Sequence, residues 1–389
     1  MPPYDPFPAR LIVFSGVAHF EADGSWVAHG GFVREVDLWA QVFSQVIVLT
    51  LRSDEDPPAD CIAYKSPNIR VAPIGKTLRT DGIWGKVMLA KSSVFRLLRA
   101  WGIIKSTDVV MARGPDGVGF LGVVASQLRR CPRFAKYADQ WEPFSGEPLG
   151  YRLQKLFYRS PRFGGPVMIY GKPDPTRPHL VPFYTSSISR QVWEQAGDEI
   201  SERRIAPPYH LLFVGRLVRA KGADVLLQAV RILVDKGYGF VVTIVGDGPE
   251  RRNLQDMTQE LDLTQYVSFT GWLDWEHMSA LYAMAHCFVH CSRKEGFGKV
   301  LLEAMTYGLP VVGTEVGVSR SIVDPPHCGL LVKPDTPGDL ATTIGRLLAE
   351  PDRMYEMGLR GRERMQSLLL EDLETSYYRF IVEYMKLGV

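Results

Sequence analysis

No uncharged apolar run in the 389 residues approaches the ~20 that a membrane span requires, so no transbilayer helix is expected. Low-complexity segments are also missing. With 46% hydrophobic and 23% charged residues, the chain has the proportions of a soluble globular protein, which argues against extended disorder. Cysteine is scarce: Cys61, Cys131, Cys287, Cys291 and Cys328 form an odd, scattered set, the pattern of reduced thiols and a cytoplasmic location. The opening MPPYDPFPARLIVF lacks a basic stretch ahead of a long apolar one, so no secretion signal is expected. Charge of either sign is nearly balanced at +2, yet residues 82–180 hold 16 Lys and Arg against 6 Asp and Glu. Such a basic half faces either something anionic (a membrane surface, a phosphorylated acceptor, nucleic acid) or simply solvent.

What is present is a repeating alternation. A chain of this length suits two domains, and short β-branched runs alternate with helix-length amphipathic stretches from end to end, the signature of βα units and parallel sheets. RLIVFSG, VIVLT, IRVAPIG, DVVMARG, FAKYAD and PVMIYG read as strands of a first α/β domain, with helices near 31–43, 83–101, 117–129 and 148–159. Four prolines within 173–182 then block both helix and central strand. HLLFVGR, FVVTIVGDG, VSFTG, CFVHCS, PVVGT and GLLV restart the pattern. The expected layout is a doubly wound domain over 1–185, a linker over 186–208, a second doubly wound domain over 209–370, and a helix over 371–389. The aromatics of that last helix need a covering surface, which the first domain would supply.

The segment EGFGKVLLEAMTYGLPVVGT begins where a parallel strand ends, the position at which open α/β sheets bind ligands. Gly296 and Gly298 allow close approach to the backbone, and the N–H groups of the helix opening at Lys299 suit a phosphate. Carboxylates beside a phosphate would repel it, so Glu295 and Glu303 are expected to accept hydrogen bonds from hydroxyls on either side of it. Hydroxyl-rich groups flanking phosphate describe a nucleotide sugar. Arg216 and Lys221, in VGRLVRAKG at the end of the second domain's first strand, supply cations for a diphosphate. HCFVHC offers His286, Cys287, His290 and Cys291 as metal ligands, but side chains alternate along a strand, so half of them face away; a buried strand is the simpler reading. GDGP at 246–249 lacks the G-x-G-x-x-G spacing of a dinucleotide site and reads as a strand-to-helix turn.

VGRLVRAKG, IVGDGPERRNLQ, VSFTGWLD, EGFGKVLLEAMTYGLPVVGT and GLLVKPDTPGDLATTI, in this order over about residues 210–365, resemble the retaining GT-B glycosyltransferases of family 4. The resemblance implies two Rossmann-like doubly wound parallel-sheet domains facing across a cleft, and metal-independent sugar transfer with retention of configuration. It implies that Arg216 and Lys221 bind the donor diphosphate, Glu303 the ribose and Glu295 the transferred sugar. Backbone groups of Phe297, Gly298 and Lys299 would line sugar and phosphates. No cofactor or metal is implied. The expected partners are a UDP- or GDP-sugar and an acceptor sugar, free or lipid-linked, with peripheral membrane contact and no nucleic acid. Polysaccharide, lipopolysaccharide or glycolipid synthesis is the expected setting, with natural-product glycosylation or nucleotide-sugar epimerisation as alternatives.

In the first half, AHGGFVREVDLWAQV looks like the family's Gly-Gly loop, which would bring Gly31 to the donor phosphate and Gly30 to the acceptor. YADQW aligns where many relatives carry His-Asp, leaving Asp139 without the imidazole and His19, in the long loop expected after the first strand, as its substitute. Arg113 and Asp116 are acceptor candidates, although helix capping explains Asp116 equally well. GIWGKVMLAKSSVFRLLRAWGIIK reads as a basic amphipathic helix with Val87, Val94, Leu98 and Trp101 on one face and Lys86, Lys91, Arg96, Arg99 and Lys105 elsewhere; it rests either on an anionic membrane or on the protein's core.

Overall fold

The computed structural model describes residues 4–77, 82–144, 146–201 and 203–386, and for 82–91 the backbone alone. The chain divides into two units: one runs to Phe183 and resumes at Leu373, the other spans Tyr184–Asp372.

The first unit contains β1 (Phe7–Ala22), β2 (Ser25–His29), α1 (Gly30–Val42), β3 (Phe43–Arg52), β4 (Cys61–Ala63), β5 (Ile69–Lys76), α2 (Gly82–Ile103), β6 (Val109–Gly114), α3 (Gly117–Arg129), β7 (Arg133–Gln140), α4 (Leu149–Arg159), β8 (Val167–Tyr170) and β9 (Leu180–Pro182). Its parallel strands run β5-β3-β1-β6-β7-β8-β9. The chain winds outward from β1 to β5, returns to β6 and continues to β9. With right-handed crossovers, α1 therefore covers one face of the sheet and α2, α3 and α4 the other.

Two features depart from the sequence reading. The long loop expected after the first strand is a hairpin: β1 continues to Ala22 and pairs antiparallel with β2 around Asp23 and Gly24, whose φ angles of 49° and 73° are both positive. Such a two-residue turn matches strand twist, and Asp-Gly is one of its preferred pairs. The proline-rich stretch still contributes a three-residue edge strand, β9, where a missing N–H is tolerated.

The second unit contains α5 (Arg190–Ile200), β10 (Tyr209–Val214), α6 (Ala223–Asp235), β11 (Phe240–Val245), α7 (Arg251–Glu260), β12 (Val267–Gly271), α8 (Trp275–Met284), β13 (Cys287–His290), α9 (Lys299–Thr306), β14 (Val311–Thr314), α10 (Ser319–Val323), β15 (Gly329–Val332), α11 (Pro337–Leu348) and α12 (Pro351–Met365). All six strands are parallel, in the order β12-β11-β10-β13-β14-β15. Both faces of the central strands are covered, which explains runs such as CFVH in which every residue is buried.

The segment read as a linker over 186–208 is largely structural. Ser189 caps α5 by accepting from Val192 N at 3.2 Å, and Ala196 and Ile200 are buried at helical spacing. Trp193 donates to Arg362 O at 3.2 Å, and Arg203 donates to the carbonyls of Tyr307 and Gly308, each at 2.8 Å. The prolines end before Ser189, so nothing prevents a helix there.

Helix α13 (Leu370–Phe380) belongs to the first unit from Leu373 onward. Tyr377 stacks on Trp39 of α1 with ring centroids 4.0 Å apart and on Phe183 at 5.2 Å, while Phe380 meets Phe134 edge-on. Beneath these rings Lys136 of β7 is fully buried, donating to Tyr377 Oη at 2.9 Å and pairing with Glu35 at 3.2 Å. Burial pushes the Lys136 ammonium down, and the Glu35 carboxylate counteracts it.

Candidate functional site

In the second unit the sheet order grows leftward from β10 through β11 and β12 and rightward from β13 through β14 and β15. The β10/β13 boundary is thus a topological switch point, with a crevice outside the carboxyl ends of these two strands. β10 runs into Gly215, Arg216 and a single 3-10 turn, Arg219–Lys221, before α6. Gly222 closes that turn at φ 69°, and a Cβ there would collide with the carbonyl oxygen of Cys291 at the end of β13. Only glycine lets the two loops lie this close.

The contact brings Lys221 to Glu295. Lys221 Nζ donates to Glu295 Oε2 at 2.5 Å, and the same oxygen accepts from Ser292 Oγ at 3.3 Å and lies 3.3 Å from His290 Nε2. Ser292 also lies 3.2 Å from His290 Nε2, so the four side chains form one network. His290 Nδ1 is buried without a hydrogen-bond partner among the described residues. The neighbouring loop is pinned by Arg293, which holds Asp224 of α6 in two bonds of 2.8 and 2.7 Å and Asp335 at 2.6 Å.

Burial alone would raise the Glu295 carboxyl, but the His290 hydrogen bond and the Lys221 charge outweigh it and hold the group at about 2 instead of its ordinary 4.5. A depressed folded-state pKa adds stability above the unfolded value, and that stability is lost as pH falls through the folded value. A gap of this size corresponds to about 3 kcal/mol. Urea unfolding between pH 4.5 and 2 should show Glu295→Gln with a flatter decline in stability than the native chain.

Arg216 is exposed, and its guanidinium makes no ion pair among the described residues. Gly298, at φ 79°, turns the chain into α9, placing the N–H groups around Lys299 at a helix start; Phe297 beside it is buried. Glu303, in α9, faces hydroxyls rather than cations: it accepts from Ser187 Oγ at 2.9 Å and from Tyr282 Oη at 3.0 Å. Arg216, Lys221, Glu295, Phe297, Gly298, Lys299 and Glu303 therefore all belong to the elements at or beside this switch point. His290, Ser292, Ser187 and Tyr282 were not singled out as partners by sequence. His290 carried one legible signal, being the last, polar residue of a buried strand.

The HCFVHC side chains diverge. His286 accepts from His210 N and lies 3.1 Å from Arg204 O, Cys287 and Cys291 are buried thiols that burial pushes up, and His290 joins Glu295.

Candidates of the first unit are placed differently. His19 lies within β1, fully buried, with Nδ1 2.9 Å from Val17 O and 2.8 Å from Thr50 Oγ1 and Nε2 2.6 Å from Tyr64 Oη. Burial lowers its pKa to about 4, so a neutral, hydrogen-bonded core imidazole replaces the loop histidine expected from the sequence. Asp116 caps α3 through Gly119 N at 2.5 Å and ties β1 by accepting from Gly16 N at 3.0 Å. Arg113 lies over the Phe32 ring, with Nε 3.8 Å from Glu35. Gly30 N donates to Asp60 O at 2.9 Å, and Gly31 follows it at the start of α1. Asp139, near the end of β7, accepts from the N–H of Gln140 at 2.7 Å.

Two Rossmann-like parallel sheets of this kind define the GT-B fold. Sucrose-phosphate synthase from Thermosynechococcus elongatus superposes with a TM-score of 0.69 at 20% identity, covering 96% of this chain and 98% of that one. HepE from Anabaena, in a crystal structure with UDP and glucose, gives 0.66 at 18% identity over 97% and 99% of the two chains. Residues 198–364 match the family model described as glycosyl transferases group 1. Among curated proteins, a D-inositol 3-phosphate glycosyltransferase from Corynebacterium jeikeium is 36% identical over 170 residues, 41% of each chain. A GDP-mannose-dependent alpha-(1-6)-phosphatidylinositol monomannoside mannosyltransferase from Mycolicibacterium smegmatis is 35% identical over 156 residues, 38% of this chain and 41% of its own. The chain thus spans about two fifths of the length of these curated relatives.

Proposed function

We propose that the protein is a retaining glycosyltransferase that moves a sugar from a UDP- or GDP-sugar to an acceptor hydroxyl without a metal ion, in the synthesis of a polysaccharide, lipopolysaccharide or glycolipid. The observation that carries this reading is the Lys221–Glu295 pair at the switch point, beside the exposed Arg216. The single positive charge of Lys221 offsets the Glu295 carboxylate and so weakens its repulsion of a neighbouring diphosphate, which lets Glu295 hold a sugar hydroxyl beside the phosphates. Arg216 presents a planar fork to the same diphosphate. Glu303 already accepts from two hydroxyls, the chemistry a ribose offers. Backbone groups of Phe297, Gly298 and Lys299 line the phosphates and sugar.

In the reaction the bond between the anomeric carbon and the donor phosphate oxygen breaks, and a bond from the acceptor oxygen to that carbon forms on the same face. The departing phosphate oxygen takes the acceptor proton. Charge on the phosphate grows as the bond breaks, and Arg216 with Lys221 stabilises it more in the transition state than in the ground state.

A thermal-shift screen of nucleotide sugars tests the donor: the right one at 100 times its dissociation constant adds about 2.7 kcal/mol of stability. Proton NMR of the product then reads the anomeric configuration. Retained configuration supports the proposal, while inversion, or conversion of the donor with no acceptor present, overturns it.

A further inference from the structure

The helical layer α2–α3–α4 covers one face of the first unit's sheet. On the inside, Ala100 and Ile104 next to α2's end pack with Val118 and Ala125 of α3 against Ile12 and Val110, and Tyr158 of α4 packs against Ala135 and Ile169. The layer is continuous: Arg129 of α3 lies over the Trp101 ring of α2 at 3.8 Å, and Phe120 of α3 meets Phe157 of α4 edge-on at 5.8 Å.

The outside is apolar where a solvated face should be polar. Leu149, Leu153 and Leu156 form a stripe along α4 at 57–71% exposure. On α2, Val94, Phe95 and Leu98 are exposed, while Arg96 is buried and donates to Lys76 O at 2.8 Å. The helix thus packs Ala100 into the core and buries a guanidinium, yet also turns apolar residues outward; Lys86, Val87 and Lys91 lie outside the described side chains. Single exposed leucines need no explanation. Here three helices carry eight of the sixteen large exposed hydrophobics found among the described residues.

Charge is just as one-sided. The sequences of α2, α3 and α4, of 22, 13 and 11 residues, contain no Asp or Glu. Arg99 and Arg152 are exposed on them, as are Lys105, Arg130 and Arg162 just beyond their ends. The flanking Asp108 and Glu147 are buried against Arg10 and Lys155, with Glu147 also 3.8 Å from the still largely exposed Arg152, which leaves Glu142, ahead of α4, as an exposed flanking carboxylate.

We propose that this outer face is a docking surface for an anionic lipid bilayer. Its leucines and Phe95 would enter the boundary between headgroups and acyl chains, and its arginines would lie against lipid phosphates. A second copy of the same face is the poorer occupant, because pairing it with itself would bring Arg99 and Arg152 against like charges. A bilayer answers both the apolar area and the missing carboxylates. This surface is independent of the sugar-transfer reading and is tested without it.

The test is flotation of the full chain with vesicles of phosphatidylcholine, with and without phosphatidylglycerol. The protein should float with the anionic vesicles, weakly with the neutral ones, and less as salt rises. The double variant Leu153→Asp, Leu156→Asp should bind anionic vesicles at least about tenfold more weakly. Because both side chains are exposed, its melting temperature should be unchanged. Three results would overturn the proposal: no flotation with anionic vesicles, equal flotation of the double variant, or a dimer on gel filtration that the double variant abolishes.

Discussion

Lys221→Ala is expected to lower turnover by about 10²–10³-fold with the fold intact, the usual cost of removing one group that stabilises developing charge. The lysine lies in a 3-10 turn held by backbone bonds, Lys221 N to Val218 O at 2.9 Å and Gly222 N to Arg219 O at 3.2 Å, so the turn survives loss of the side chain. What disappears is the cation shared between Glu295 and the departing phosphate. The loss should fall mainly on kcat, because an interaction that strengthens in the transition state affects kcat and kcat/KM together, whereas uniform binding moves KM alone. Steady-state transfer rates with the donor identified by thermal shift measure it. Near-normal kcat in a folded variant would remove Lys221 from the mechanism.

Glu35→Ala should destabilise the first domain by about 3–5 kcal/mol, the cost of breaking a buried ion pair from one side. Lys136 is only 1% exposed and would be left with a tyrosine hydroxyl as its remaining close partner, so that it must either bear an unpaired charge or give up its proton, and both cost stability. Adding Lys136→Met should restore much of the loss, since an apolar side chain of similar length is often as stable as the pair it replaces. Thermal melting of the single and double variants separates the two effects. An equally unstable double variant would assign the loss to packing around Trp39 and Tyr377 rather than to the unpaired charge.

The fold class was readable because parallel strands buried on both faces leave contiguous runs such as CFVH and FVVTIV, and the helices between them leave their own period. The hairpin around Asp23 and Gly24 was legible in principle from Asp-Gly between alternating residues, but its length was masked by β1 first running as a parallel core strand. Helix α5 was hidden by a polar composition that makes sense only once Trp193 and Ile200 have a surface to cover. At the candidate site, residue types and their order within one loop could be read directly. Partners reached through the fold could not: Ser187 lies 116 residues from Glu303, and nothing local to either marks the contact. His19 shows the converse error, since a histidine's role depends on whether its ring faces solvent or core, and one sequence does not contain that answer.

The return of α13 to the first unit sets an order on biosynthesis. Lys136 and Tyr377 are 241 residues apart, so the pocket that buries the lysine is incomplete while a ribosome is still making the entire second domain. Until Tyr377 and Phe380 emerge, the nascent first domain carries an uncovered Trp39 and Phe134 beside an ammonium that has no roof. The second domain, continuous from Tyr184 to Asp372, has no such dependence and can fold as soon as it leaves the exit tunnel. The domain translated first is therefore the one finished last.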